Sequence, residues 1–160
     1  MIDCKDIDSV ETFLALSLLL EYESADRLKE LAKAMREQQA DALAELLDRL
    51  AGYSRKHAEE IHERAEGRVL PELATTDFAW EGPEGPETTA FEAVNAGMSR
   101  EEMLQVALNN EIRGQEFYTR ISLESPNAAV RELAAEFAGE ENEHVMLLQQ
   151  WIDNEGRQSA

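Results

Sequence analysis

Apolar residues recur at helical spacing in four separate stretches of the chain. In the first, Leu14, Leu18, Glu21, Ala25, Leu28, Ala32 and Met35 step by threes and fours, which predicts one buried face on a helix from about Ser9 to Met35. Glu21 is the one charged member of that stripe, and Asp8 with Glu11 reads as its capping box. After a turn near Glu37, a second helix carries Leu43, Leu47, Leu50, Ser54, His57 and Ile61 on one face, and Gly67 stops it. Ser99 with Glu102 opens a third helix, whose stripe is Leu104, Leu108, Glu111, Gln115 and Tyr118 and which runs to about Leu123. Ser125-Pro126 reads as an N-cap followed by proline at the first helical position. The fourth helix then reaches about Asn154, with Val130, Ala134, Phe137, Glu141, His144, Leu148 and Trp151 on one face.

Between Arg68 and Met98 the pattern breaks, because Pro71, Gly82, Pro83, Gly85 and Pro86 deny a long helix. A connection of this length inside a compact domain fits a crossover between distant helix ends. Phe78, Trp80 and Phe91 are expected to dock it on the bundle. No strand signal of any length is present. The expected class is all-α: an antiparallel four-helix bundle in one domain, residues 1–160, with residues 68–98 as the long crossover between helices two and three.

Composition narrows the function. Fifteen basic residues against thirty-four acidic ones give a formal net charge of −19, which repels nucleic acid and anionic membrane surfaces. No apolar run is long enough to span a bilayer, and no signal peptide precedes the first helix, so the expected compartment is the cytoplasm. A single cysteine, Cys4, excludes an internal disulfide and an all-cysteine metal site.

The ionisable residues on the apolar stripes carry the candidate chemistry. A carboxylate or imidazole in a bundle core is costly unless it is paired or bound to something. The two halves of the chain also repeat each other. Glu45-Leu46 through Ala51-Gly52 to His57 aligns at one constant offset with Glu132-Leu133 through Ala138-Gly139 to His144. Leu14, Leu18 and Glu21 align likewise with Leu104, Leu108 and Glu111. In antiparallel helices joined by short turns, residues equally far from the turn lie at one height. Glu21 and Ser54 flank the first turn in this way, and Glu111 and Glu141 flank the second. Glu21, His57, Glu111, Glu141 and His144 therefore converge on one level, and a metal would stabilise them together there.

Glu21, Glu111 followed by Tyr118, and Glu141-x-x-His144 resemble the rubrerythrin-type branch of the ferritin-like superfamily, over the whole chain. The resemblance implies a ferritin-like bundle with a carboxylate-bridged di-iron centre that reacts with peroxide or dioxygen. It implies terminal carboxylates at Glu21 and Glu111, a bridge at Glu141, one iron capped by each of His57 and His144, and Tyr118 beside the site as the candidate catalytic residue. The sequence departs from the family pattern at Ser54, where a Glu is expected three before the helix-two histidine. Tyr53 and Glu60 share roughly the face of His57 and are candidate substitutes, with packing and solvation as their plainer roles. The four-cysteine iron domain of complete rubrerythrins is not present, so a reductive cycle implies an external reductase.

Mixed carboxylate and imidazole ligands suit iron first, then manganese, and admit zinc. Three functions follow: an oxidoreductase acting on peroxide or dioxygen, iron binding or storage without turnover, and a degenerate-site bundle serving as an interaction module. The expected partners are metal ions, peroxide or dioxygen, an external reductase, and further copies of the chain in a homodimer or higher homo-oligomer.

Overall fold

The computed structural model describes residues 1–78 and 98–158. Among them are four long helices: α1 (Val10–Glu37), α2 (Asp41–Arg64), α3 (Arg100–Glu124) and α4 (Ala128–Gln158). Single 3₁₀ turns stand at Cys4–Asp6 and Thr75–Asp77. The described residues contain no strand, only an isolated bridge between Ile2 and Phe78.

Capping differs from the sequence expectation at two helix starts. Ser9, not Asp8, caps α1: its backbone is extended and its Oγ accepts from Thr12 N at 3.1 Å. Ser125 closes α3 rather than opening α4, and its hydroxyl donates to Ile7 O at 2.7 Å. Asn127 takes over the capping of α4, accepting from Ala129 N at 2.9 Å. Helix α4 also runs on through Gly156, which has no positive φ and so offers no left-handed stop. Gly67, at φ +80°, does take that conformation, just beyond the end of α2 at Arg64.

Helices α1 and α2 form one antiparallel hairpin, and α3 and α4 form the other. The hairpins meet with α1 antiparallel to α3. At one end Ser125 bonds Ile7, and at the other the Gln38 amide donates to Met98 O and Arg100 reaches Gln38 O. The end of α2 lies beside the start of α1, where Arg68 pairs with Glu11. The end of α2 and the start of α3 therefore lie at opposite ends of the bundle, as the expected crossover between helices two and three requires. Phe78 in this connection is buried against Phe117, ring centroids 5.1 Å apart, as expected of a docking anchor. Trp80 and Phe91 lie outside the described residues.

The core is in two apolar parts. One joins Leu28, Leu31 and Met35 with Leu43, Leu47, Leu50, Leu104, Leu108 and Leu148. The other joins Phe13, Leu14 and Leu18 with Ile61, Phe117, Tyr118, Ile121, Val130 and Phe137. Between them lies the layer holding Glu21, Ser54, His57, Glu111, Glu141 and His144. Phe137 seals the layer from one side, stacked on Phe13 at 5.5 Å and edge-on to Tyr118 and to His57. Removing its ring by Phe137→Ala should cost about 3–5 kcal/mol, read as a fall in the urea midpoint. Phe137→Leu should recover most of the loss.

Candidate metal centre

Each helix brings its charged stripe member to the polar layer. Glu21, Glu111 and Glu141 are 1%, 1% and 3% exposed and His57 6%, while the His144 side chain is 14% exposed. Two groups form. In the first, Glu21, His57 and Glu141 place one ligand atom each so that all lie within 4.8 Å of one another. In the second, Glu111, Glu141 and His144 do the same. Glu141 belongs to both. All five residues expected from sequence thus converge, with the residue expected as the bridge standing between the groups.

The contacts are directional. His57 Nδ1 lies 2.9 Å from Glu21 Oε1, and the Tyr118 hydroxyl donates to that same oxygen at 2.9 Å. His144 Nδ1 lies 3.4 Å from Glu111 Oε2 and 3.7 Å from Glu141 Oε2. Both histidines thus turn Nδ1 toward the carboxylates. Glu21 Oε2, Glu111 Oε1 and the Ser54 hydroxyl are buried and have no hydrogen-bond partner. Orphaned carboxylate oxygens in a dry core are expensive. A bound cation would satisfy them, so each donor set fits a metal ion held by carboxylate and imidazole.

Protonation reflects the same crowding. Burial and the charge of Glu141 raise Glu21 to about 7. Burial and the nearby Glu111 raise Glu141 to about 7 as well. Burial works against the His144 cation, but its contacts with Glu111 and Glu141 outweigh it and lift the group to about 10. Tyr118 is pushed well above the ordinary tyrosine value by burial and by Glu21, so it keeps its proton.

Ser54 occupies the place of the expected helix-two carboxylate, and the substitutes considered from sequence do not enter the layer. Tyr53 is 43% exposed and stacks on the His144 ring, centroids 5.6 Å apart and planes 17° apart. Glu60 is exposed. Both line an open cleft between α2 and α4 that reaches His57 and His144.

Three features were not foreseen. Glu140, the neighbour of Glu141, lies in that cleft with Oε2 3.0 Å from His57 Nε2. Gln115, expected on the buried stripe, is partly exposed and bonds Asn142, and Gly114 faces inward in its place. A Cβ on Gly114 would lie 3.3 Å from both Cδ and Oε2 of Glu141, so the missing side chain leaves room for the shared carboxylate. The glycine itself gave a signal, since an isolated glycine inside a helical pattern often marks close packing.

The comparisons agree with this architecture. No family model and no curated protein matches the chain. Among solved structures, the chain matches the COG1633 protein of Magnetospirillum magnetotacticum MS-1, described as an uncharacterized conserved protein. The two are 33% identical, with a TM-score of 0.76 over 91% of this chain and 95% of that one. The chain belongs to the COG1633 family. The shared fold is ferritin-like: all-α, with paired helix hairpins and a buried glutamate and histidine cluster in this COG1633 chain. No helix among its described residues is long and apolar enough to cross a membrane.

One consequence of Gly114 is testable. Gly114→Ala adds a better helix former, worth up to about 1 kcal/mol, and the carboxyl it crowds sits at the end of a flexible side chain. The metal-free protein should melt at the same temperature or higher. Metal affinity should fall by about tenfold or more, because the displaced carboxyl serves both groups. Calorimetric metal titration beside a melting curve separates the two effects.

Proposed function

We propose that this chain is a metal-binding ferritin-like protein of the rubrerythrin type, with a dinuclear centre that is iron first, or else manganese or zinc. The observation that carries the reading is Glu141, which stands between two glutamate and histidine groups whose remaining carboxylate oxygens are orphaned. Glu21 and His57 would hold one ion, Glu111 and His144 the other, and Glu141 would join them. Bound iron would supply the redox chemistry toward peroxide or dioxygen that carboxylate and imidazole lack. Tyr118 holds its proton against Glu21 Oε1 and orients that carboxylate, while Phe13 and Phe137 exclude water on the same side. The cleft between α2 and α4 gives small molecules a path to the histidines. The reading includes a cytoplasmic location, expected from composition, an external reductase, implied by the family resemblance, and a homo-oligomer.

Ser54 favours a second reading, in which metal is bound without turnover. One fewer carboxylate leaves the charge of two divalent ions less fully balanced. Metal analysis of protein purified from its own host, followed by ferrous titration of the stripped protein, tests both readings. Two equivalents per chain with peroxide-dependent oxidation is the expected result. Two bound equivalents without oxidation would favour the second reading, and no bound metal would sink both. Ser54→Glu should tighten the step at the His57 end if charge is what that end lacks.

A further inference from the structure

The internal repeat makes a pairing across the cleft that the apolar stripes do not reveal. Tyr53 stands four residues before His57 on α2, and Glu140 stands four residues before His144 on α4. Each reaches the histidine of the opposite helix. Tyr53 stacks on the His144 ring, and Glu140 Oε2 comes to 3.0 Å from His57 Nε2. Equivalent places in the two halves thus serve the two histidines in different ways: one gives an aromatic face and the other a carboxylate.

The two nitrogens of His57 are divided between inside and outside. Nδ1 faces Glu21 in the buried layer, and Nε2 faces Glu140 in the cleft. The Glu140 contact is close without being an aligned hydrogen bond, and its side chain is 41% exposed, so its carboxyl is free to turn onto the N–H line. A carboxylate beyond a ligating histidine holds the outer N–H, sets which nitrogen carries the proton and makes the inner nitrogen a stronger donor. His57 is on the helix that lacks the inner carboxylate, because Ser54 stands one turn before it.

We propose that Glu140 is a positioning residue for His57: it keeps the proton on Nε2, presents Nδ1 to a metal held with Glu21 and Glu141, and returns to that end the negative charge absent at Ser54. This rests on the metal-binding reading and adds to it an outer-sphere partner on one side only. The His57 end is held from outside by charge, whereas the His144 end is covered by a half-exposed tyrosine. The two metal positions therefore depend on different surface residues.

Zinc, which is diamagnetic, is the probe. Stepwise zinc titration by calorimetry would be run on the wild type, Glu140→Gln, Glu140→Ala and Tyr53→Phe, with nitrogen-15 spectra of the histidine rings alongside. The expected result is that Glu140→Ala weakens one of two steps by about 10–100-fold, the range typical of lost outer-sphere partners, and leaves the other step in place. Glu140→Gln, which keeps an acceptor without the charge, should fall between Glu140→Ala and the wild type, and Tyr53→Phe should leave the His57 step unchanged. In the zinc-free wild type, the His57 Nε2–H should exchange slowly with solvent, and that protection should vanish in Glu140→Ala while the helical signal stays constant. Two native-strength steps in Glu140→Ala, or equal loss of both, would overturn the positioning role while the metal reading stands. A wild type that binds no zinc, iron or manganese would overturn both. Unprotected His57 Nε2–H in the wild type counts against Glu140 whatever the metal result.

Discussion

Glu141→Gln should strip metal from both positions at once, whereas Glu21→Gln and Glu111→Gln should each strip mainly one. The difference follows from Glu141 being the member common to the two groups. Loss of outer-sphere partners alone costs about 10–100-fold in metal affinity. Loss of the shared ligand should exceed that, so bound metal should fall below one equivalent per chain after dialysis. The metal-free form should respond in the opposite direction. Glu141 is pressed toward its neutral form by burial and by Glu111, and its charge in turn raises Glu21. A neutral amide of nearly the same shape removes that conflict, and because burial and Glu111 outweigh the His144 contact, the gain is about 1–3 kcal/mol. In a chain of this size that is a rise of roughly 3–10 °C in melting temperature. A variant that melts higher without metal yet gains nothing on adding it is the signature of a binding site. If Glu141→Gln keeps full metal content, the shared-ligand arrangement is wrong.

The second large effect is a metal-dependent stability that grows with pH. Glu21 and Glu141 titrate near 7 in the folded chain against an ordinary 4.5, so the folded state holds protons that the unfolded state has released. For such groups the contribution to stability is present below about 4.5 and is lost as pH rises through 7. Each shift corresponds to about 3 kcal/mol, and because the two carboxyls interact they titrate as a pair. His144 has the same sign: its raised value, about 10 against 6.5, gives stability that is complete below 6.5 and lost as pH climbs through 10. The metal-free bundle should therefore weaken steadily from pH 5 to pH 9. Metal competes with these same protons, so its affinity should rise over that range. Melting curves with manganese and with chelator should lie close together at pH 5.5 and separate widely at pH 8. Curves that stay equally spaced at every pH would mean that the metal is not held by these groups.

Much of the centre was legible in the chain because the signal is local. A side chain's place on its own helix depends on residues within two turns, so Glu21, Glu111 and Glu141 announced themselves by interrupting apolar stripes. The repeat of His57 by His144 then tied the helices into one level, and the structure brings these residues together there. Helix ends were less legible. Ser9 and Asn127 displaced the expected caps because a cap depends on the backbone of a single residue, which neighbouring polar residues contest.

Among the described residues, the sequence by itself determined the four long helices, most of their buried stripes and the five ionisable residues in the layer. These properties repeat with the period of one helix and need no partner to be defined. Tertiary structure alone decided the rest. It placed Glu141 in both groups, turned Gly114 rather than Gln115 inward, and brought Glu140 across the cleft to His57. Each of these depends on the rotation of one helix against another. A side chain at the border of a stripe faces solvent or a neighbouring helix according to a few tens of degrees, which no single helix encodes.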